Sequence, residues 1–177
     1  MSKIRLATVW LDGCAGCHMS LLDMDERLIA VTELADIVYG PLVDVKEFPE
    51  NVDVTVIEGS VSSEEDLEKV HKIRKNSKIV LSLGDCAVTG NVPSMRDLFP
   101  MDEVMDRVYF ENASLNQQVP KKNVPKLLPR VRPVHEVVKV DVFVPGCPPP
   151  ADAIFNVIVQ LVEGRAPEAA MTTRFGK

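Results

Sequence analysis

Four cysteines, Cys14, Cys17, Cys86 and Cys147, are the residues of this 177-residue chain whose type and setting point to chemistry. Each follows a β-like run and sits beside a glycine. Cys14 and Cys17 lie in Asp12-Gly13-Cys14-Ala15-Gly16-Cys17, Cys86 in Gly84-Asp85-Cys86, and Cys147 in Pro145-Gly146-Cys147-Pro148-Pro149-Pro150. Four thiolates suit a tetrahedral zinc ion or an iron–sulfur cluster. Zinc usually brings a second close-spaced pair, because a compact knuckle closes locally. Here the other two cysteines are single and distant, which favours a cluster in a rigid cradle. The backbone N–H groups of Gly13, Gly84 and Gly146 are candidates to face its sulfurs. A structural zinc or docking module is the alternative; a thioredoxin-type dithiol does not need two more cysteines at other strand ends, and inert buried cysteines suit poorly two that both sit beside glycine turns.

Such a cradle needs the strand ends to meet. The chain alternates short β-like runs with helical patterns, as in an α/β domain with a mostly parallel sheet. Strands are expected over 3–11, 36–42, 52–57, 78–83 and 140–144. Leu21, Met24, Leu28 and Val31 predict a helix over 19–31. Ser62, with Glu65 three residues on, predicts a capped helix striped by Leu67, Val70 and Ile73. A last helix over 151–163 carries Ile154, Val157, Ile158, Leu161 and Val162 inward and stops at Gly164. In an open parallel sheet all strand C-termini share one edge, where ligands bind.

Between about 91 and 133 the sequence is rich in Pro, Asn, Gln and Lys. It reads as a long excursion with one short helix over 101–107, of the kind that covers a partner. One domain over 1–165 and a tail over 166–177 complete the expected layout. Hydrophobic residues at 46% and charged residues at 26% are ordinary for a globular domain. With 20 basic and 26 acidic residues the formal charge is −6, which argues against nucleic acid as a partner. No apolar run approaches the roughly 20 residues of a membrane span. The N-terminus lacks a small-residue cleavage site. A cytoplasmic protein is the expectation, where thiols stay reduced.

Around the cysteines the sequence resembles a known family. The matching stretches are Val9-Trp10-Leu11, Cys14-Ala15-Gly16-Cys17-His18-Met19-Ser20, Val56-Ile57-Glu58-Gly59-Ser60, Gly84-Asp85-Cys86-Ala87-Val88-Thr89-Gly90-Asn91-Val92-Pro93 and Pro145-Gly146-Cys147-Pro148-Pro149. Together they resemble the small subunit of a [NiFe]-hydrogenase, nearest to the soluble, bidirectional NAD-reducing type. The resemblance implies a flavodoxin-like fold with helices on both faces of the sheet. It implies one [4Fe–4S] cluster on Cys14, Cys17, Cys86 and Cys147. The nickel–iron centre would belong to a partner large subunit, and electrons would pass to diaphorase subunits carrying iron–sulfur clusters and FMN.

Larger family members carry extra cysteines for two more clusters, whereas this sequence has four cysteines only. The related subunit of respiratory complex I has adjacent cysteines where this chain has Cys14-Ala15-Gly16-Cys17. F420-linked and sulfur-reducing hydrogenases use similar subunits, so these stand as alternatives. No FMN is expected in the chain itself, because Cys14 and Cys17 fill the turn where a phosphate loop would sit.

Other residues carry weaker signals. Glu58 ends a strand on the cysteine edge and is a candidate carboxylate beside the cluster or a plain turn cap. His18 reads as an interface donor or an ordinary imidazole, the latter being favoured. Trp10 reads as core filling or as packing near the cluster. Asp12, Thr89 and Asn91 are candidates for bonding the turns. His71 and His135 receive no chemical role.

Overall fold

The structure is a computed structural model describing residues 3–167. Residues 168–177, most of the expected tail, lie outside the described residues. A five-stranded sheet in the order β2-β1-β3-β5-β7 is built from β1 (Ile4–Trp10), β2 (Ala35–Tyr39), β3 (Val52–Glu58), β5 (Ser77–Leu83) and β7 (Val142–Val144). Every pairing in it is parallel. This is the doubly wound flavodoxin-like order, with β1 at the point where the strand order reverses.

Alternation along each central strand sends side chains into two cores. Leu6, Val54, Val56, Leu81 and Leu83 meet the inner faces of α1 (Gly16–Leu22), α2 (Arg27–Leu34) and α6 (Ala151–Val162). Ala7, Val9, Ile57 and Val80 meet Val70 and Ile73 of α3 (Glu64–Asn76). Both faces are therefore covered, as the near-continuous apolar runs of β1, β3 and β5 require.

The helix read over 19–31 is two helices. Asp25 takes a left-handed φ of 51° between α1 and α2. The stripe still holds, because Leu21, Met24 and Val31 are buried and Leu28 packs against them. The cap before α3 is Ser63, not Ser62, and Asp66 rather than Glu65 closes the box. Ser63 Oγ accepts from Asp66 N–H, while the Asp66 carboxylate accepts from Ser63 N–H. Adjacent serines and a run of acidic residues make the register ambiguous by one in sequence. Ser62 is instead taken up by a short strand, β4 (Val61–Ser63).

That strand pairs antiparallel with β6 (Leu127–Arg132), a strand inside the region read as irregular. Pro129 and two arginines disguise β6, and its pairing crosses a long stretch of chain. The excursion otherwise consists of a 3₁₀ turn (Pro93–Leu98) and α5 (Met101–Asp106), which widens into a π turn over Arg107–Glu111. It is tied down where the Arg96 guanidinium donates to Ser62 O and Leu128 O and the Asp97 carboxylate accepts from Val131 N–H.

Candidate metal centre

The sheet brings all four cysteines to one rim. Cys14 and Cys17 follow β1, Glu58 ends β3, Cys86 follows β5 within α4 (Gly84–Thr89), and Cys147 follows β7. Since β1, β3, β5 and β7 are consecutive neighbours, the order along the rim is Cys14/Cys17, Glu58, Cys86, Cys147. The Cys17 thiol lies within electrostatic reach of the other three sulfurs. Burial is the largest influence on it and pushes it well above the usual thiol range, followed by the Glu58 carboxylate and then by Cys86, Cys14 and Cys147. Burial pushes the Cys86 thiol up as well, opposed by hydrogen bonds from Val92 N–H and the Asn91 amide. Proximity to a metal reverses this balance, because a coordinated thiol is deprotonated.

The loops are stitched to one another. Asp85 N–H donates to Gly146 O at 2.8 Å, and Gly146 N–H donates to Asp85 Oδ1 at 2.7 Å. The Gly146 N–H is thus taken by a carboxylate rather than held out toward a sulfur. Ser20 Oγ donates to Pro149 O at 2.5 Å and joins α1 to the loop after Cys147. Asp12 and Ser60 exchange backbone hydrogen bonds, so the ends of β1 and β3 run together.

Gly84 makes room for the sulfurs. A Cβ built there would stand 2.2 Å from Cys17 Sγ, and its φ of +80° disfavours any L side chain. Gly13 is less tightly enclosed, its nearest neighbour being Gly59 Cα at 3.4 Å, with Cys86 Sγ at 3.9 Å. The Thr89 hydroxyl donates to Asp85 O inside α4 at 2.9 Å.

Glu58 is buried and works on the loop of Cys17. Its Oε1 accepts from Cys17 N–H at 3.2 Å and its Oε2 from His18 N–H at 2.9 Å. His18 Nδ1 also pairs with Oε2. His18 is therefore a buried imidazole paired with Glu58, and its ring packs perpendicular to that of Trp10 with centroids 5.3 Å apart. Its Nε2 is buried without a hydrogen-bond partner. Nothing in the spacing of His18 and Glu58 revealed this pair, since forty positions separate them. Trp10, at the end of β1, is 40% exposed, and Met19 and Leu22 of α1 are exposed as well.

Among the described residues no group of three or more His, Cys, Asp and Glu side chains closes tightly enough to share one metal ion. The donor set suits a wider polynuclear group: four sulfurs, two buried and two exposed, around a space that only glycine at position 84 leaves open. Away from this rim a groove of about 810 Å³ lies along the excursion, lined by Met95, Phe99, Val104, Arg107 and Val108. None of the four cysteines lines it.

Known proteins share this architecture. Residues 14–161 match the family described as NADH ubiquinone oxidoreductase, 20 Kd subunit. The NAD-reducing hydrogenase HoxS subunit delta of Cupriavidus necator is 44% identical over 168 residues, covering 92% of this chain and 80% of that subunit. A subunit of the F420-non-reducing hydrogenase of Methanothermobacter marburgensis is 41% identical, over 96% of this chain but only 57% of that subunit. The chain thus spans a little over half the length of this archaeal relative. In a crystal structure of NAD⁺-reducing [NiFe]-hydrogenase in the H₂-reduced state, one chain superposes with a TM-score of 0.93 at 36% identity, with 98% of this chain and 99% of that one covered.

The chain belongs to the family of the 20 kDa subunit of NADH ubiquinone oxidoreductase and, within it, is similar to subunits of NAD-reducing [NiFe]-hydrogenases. It is a hydrogenase subunit. A relative from Archaeoglobus profundus, 30% identical, is called an iron-sulfur subunit of an F420-non-reducing hydrogenase. No helix among the described residues is long and apolar enough to cross a membrane.

Proposed function

We propose that the chain is the small, electron-relaying subunit of an NAD-reducing [NiFe]-hydrogenase and that Cys14, Cys17, Cys86 and Cys147 ligate one [4Fe–4S] cluster. When bound, the cluster supplies one-electron transfer between the nickel–iron centre of a large-subunit partner, where H₂ and protons interconvert, and diaphorase subunits that use iron–sulfur clusters and FMN to reduce NAD⁺. The observation that carries this reading is the convergence of four thiols from β1, β5 and β7 on one rim. The chain's own residues place and shield. Cys17 and Cys86 sit on the buried side and exclude water, while Cys14 and Cys147 face the side left for a partner. Glu58 and the Asp85–Gly146 exchange hold the ligand loops in position before any group binds.

The exposed Trp10, Met19 and Leu22, on the two elements that flank the Cys14–Cys17 turn, suit the large subunit. No FMN is assigned to this chain, because the turn after β1 is filled by Cys14 and Cys17. A cytoplasmic location belongs to the same reading. A second reading of the electron acceptor has support from the 41% identity to an F420-non-reducing hydrogenase subunit, so the acceptor is part of the test.

The experiment is to purify the native complex and count iron, acid-labile sulfide, zinc and flavin before and after the diaphorase subunits are removed. Iron and sulfide retained with this chain, without flavin, are expected. A colourless preparation with zinc in place of sulfide rejects the reading. Cys147→Ser is expected to remove the cluster's EPR signal and H₂-dependent NAD⁺ reduction. Unchanged NAD⁺ reduction in an intact complex would exclude Cys147 as a ligand, and reduction of another acceptor alone would favour the second reading.

A further inference from the structure

The turn that follows α4 reaches over two of the sulfurs. Gly90 ends the helix with a φ of +88°, and Asn91 follows with a φ of +34°. Two successive residues of positive φ turn the chain sharply after α4 and bring the Asn91 side chain back over the rim. Here Asn91 Nδ2 donates to Cys147 Sγ at 3.4 Å. The Asn91 amide also hydrogen-bonds the Cys86 thiol, as does Val92 N–H. One side chain thus spans sulfurs delivered by β5 and β7. Ser94 fixes it, its hydroxyl donating to Asn91 O at 2.7 Å and its N–H to the same oxygen at 3.2 Å. These bonds hold the backbone from which the amide projects.

We propose that Asn91 is a positioning residue that sets the reduction potential of the group bound by Cys86 and Cys147, by donating its amide N–H to their sulfurs. This rests on the ligand assignment made above. A thiolate can only accept, so the amide presents nitrogen rather than oxygen. Reduction adds negative charge that spreads onto the sulfurs, and a fixed N–H donor stabilises that charge more in the reduced than in the oxidised form. The donor therefore raises the potential. Asparagine suits the position twice over, because it tolerates the left-handed backbone and carries the donor.

The test is a redox titration followed by EPR on the assembled hydrogenase complex, comparing wild type with Asn91→Gly and Asn91→Asp. Glycine keeps the backbone conformation and removes the donor. Aspartate keeps the shape and places an acceptor against the sulfurs. Both variants are expected to keep their iron and sulfide. The midpoint is expected to move to more negative potential in Asn91→Gly and further in Asn91→Asp. Deuterium exchange on the reduced wild-type complex should show a coupled exchangeable proton that Asn91→Gly lacks. A potential unmoved or raised in both variants, with iron and sulfide retained, overturns the proposal. Loss of the cluster from both variants also overturns it, since Asn91 would then be needed for assembly rather than tuning. A wild-type complex with no iron or sulfide on this chain would fail at the ligand assignment instead.

Discussion

Gly84→Ala tests the packing of the sulfur rim. The added methyl would lie 2.2 Å from Cys17 Sγ, well inside van der Waals contact, and its other near neighbour is Gly146 O at 3.4 Å. Two costs add. A left-handed conformation at an L residue costs about 1–2 kcal/mol. Forcing a methyl into a filled space costs about 1–3 kcal/mol more. The sum is about 2–5 kcal/mol, a large share of the roughly 5–15 kcal/mol that stabilises a domain. Cys17 Sγ is the atom that must give way, so loss of metal should accompany loss of stability. Gly164→Ala separates the two costs: its φ is +72°, yet a Cβ there meets nothing within 4 Å, so only about 1–2 kcal/mol is expected. Chemical denaturation of the purified complex, with iron and sulfide counted on each variant, gives both readouts. If Gly84→Ala were no less stable than Gly164→Ala and kept its iron, the close packing of Gly84 against Cys17 would be refuted.

Three further outcomes follow from the hydrogen-bond networks. Glu58→Ala strips the acceptor from two backbone N–H groups and from His18 Nδ1, at about 1–3 kcal/mol per group left unsatisfied; urea denaturation together with the cluster's EPR line shape checks it, and an unchanged midpoint counts against the anchoring role. Asp141 accepts from Val80 N–H and from the Arg74 guanidinium. Burial alone would raise its carboxyl, but those partners hold it below the usual carboxylate range. Its contribution is therefore present above the ordinary carboxylate pKa and lost as pH falls through its lower folded value. Asp141→Asn should cost about 1–3 kcal/mol at neutral pH and progressively less below about pH 4; thermal melts across pH test this, and a gap that widens in acid contradicts it. Ser63→Ala should cost about 1 kcal/mol through loss of the α3 cap, whereas Ser62→Ala should cost less, since Ser62 Oγ meets Asp66 Oδ2 only at 3.5 Å; equal losses in denaturation midpoint would put the cap in the wrong place.

Much of this protein is legible from its amino acids alone. Strand periodicity in 4–10, 52–58 and 77–83, with a glycine turn and a cysteine after the first and third runs, fixes a parallel α/β layout and the rim on which the cysteines gather. That inference works because side-chain alternation and turn chemistry are local, and because parallel strands all end on one edge. The apolar stripe of α6 is local in the same way, and Ala153, Ile154, Val157, Ile158 and Leu161 are all buried.

What tertiary structure alone decided are the pairings between distant segments. The strand Leu127–Arg132 exists because Val61–Ser63 offers it an edge, not because its own sequence favours β structure. The break at Asp25 gives two short helices where periodicity suggested one. The His18–Glu58 pair and the reach of Asn91 to Cys147 link residues 40 and 56 positions apart, and no local rule of spacing encodes them. The cysteines stand out by type and turn, whereas the hydrogen bonds that hold their loops arise only once strand order has set which loops are neighbours.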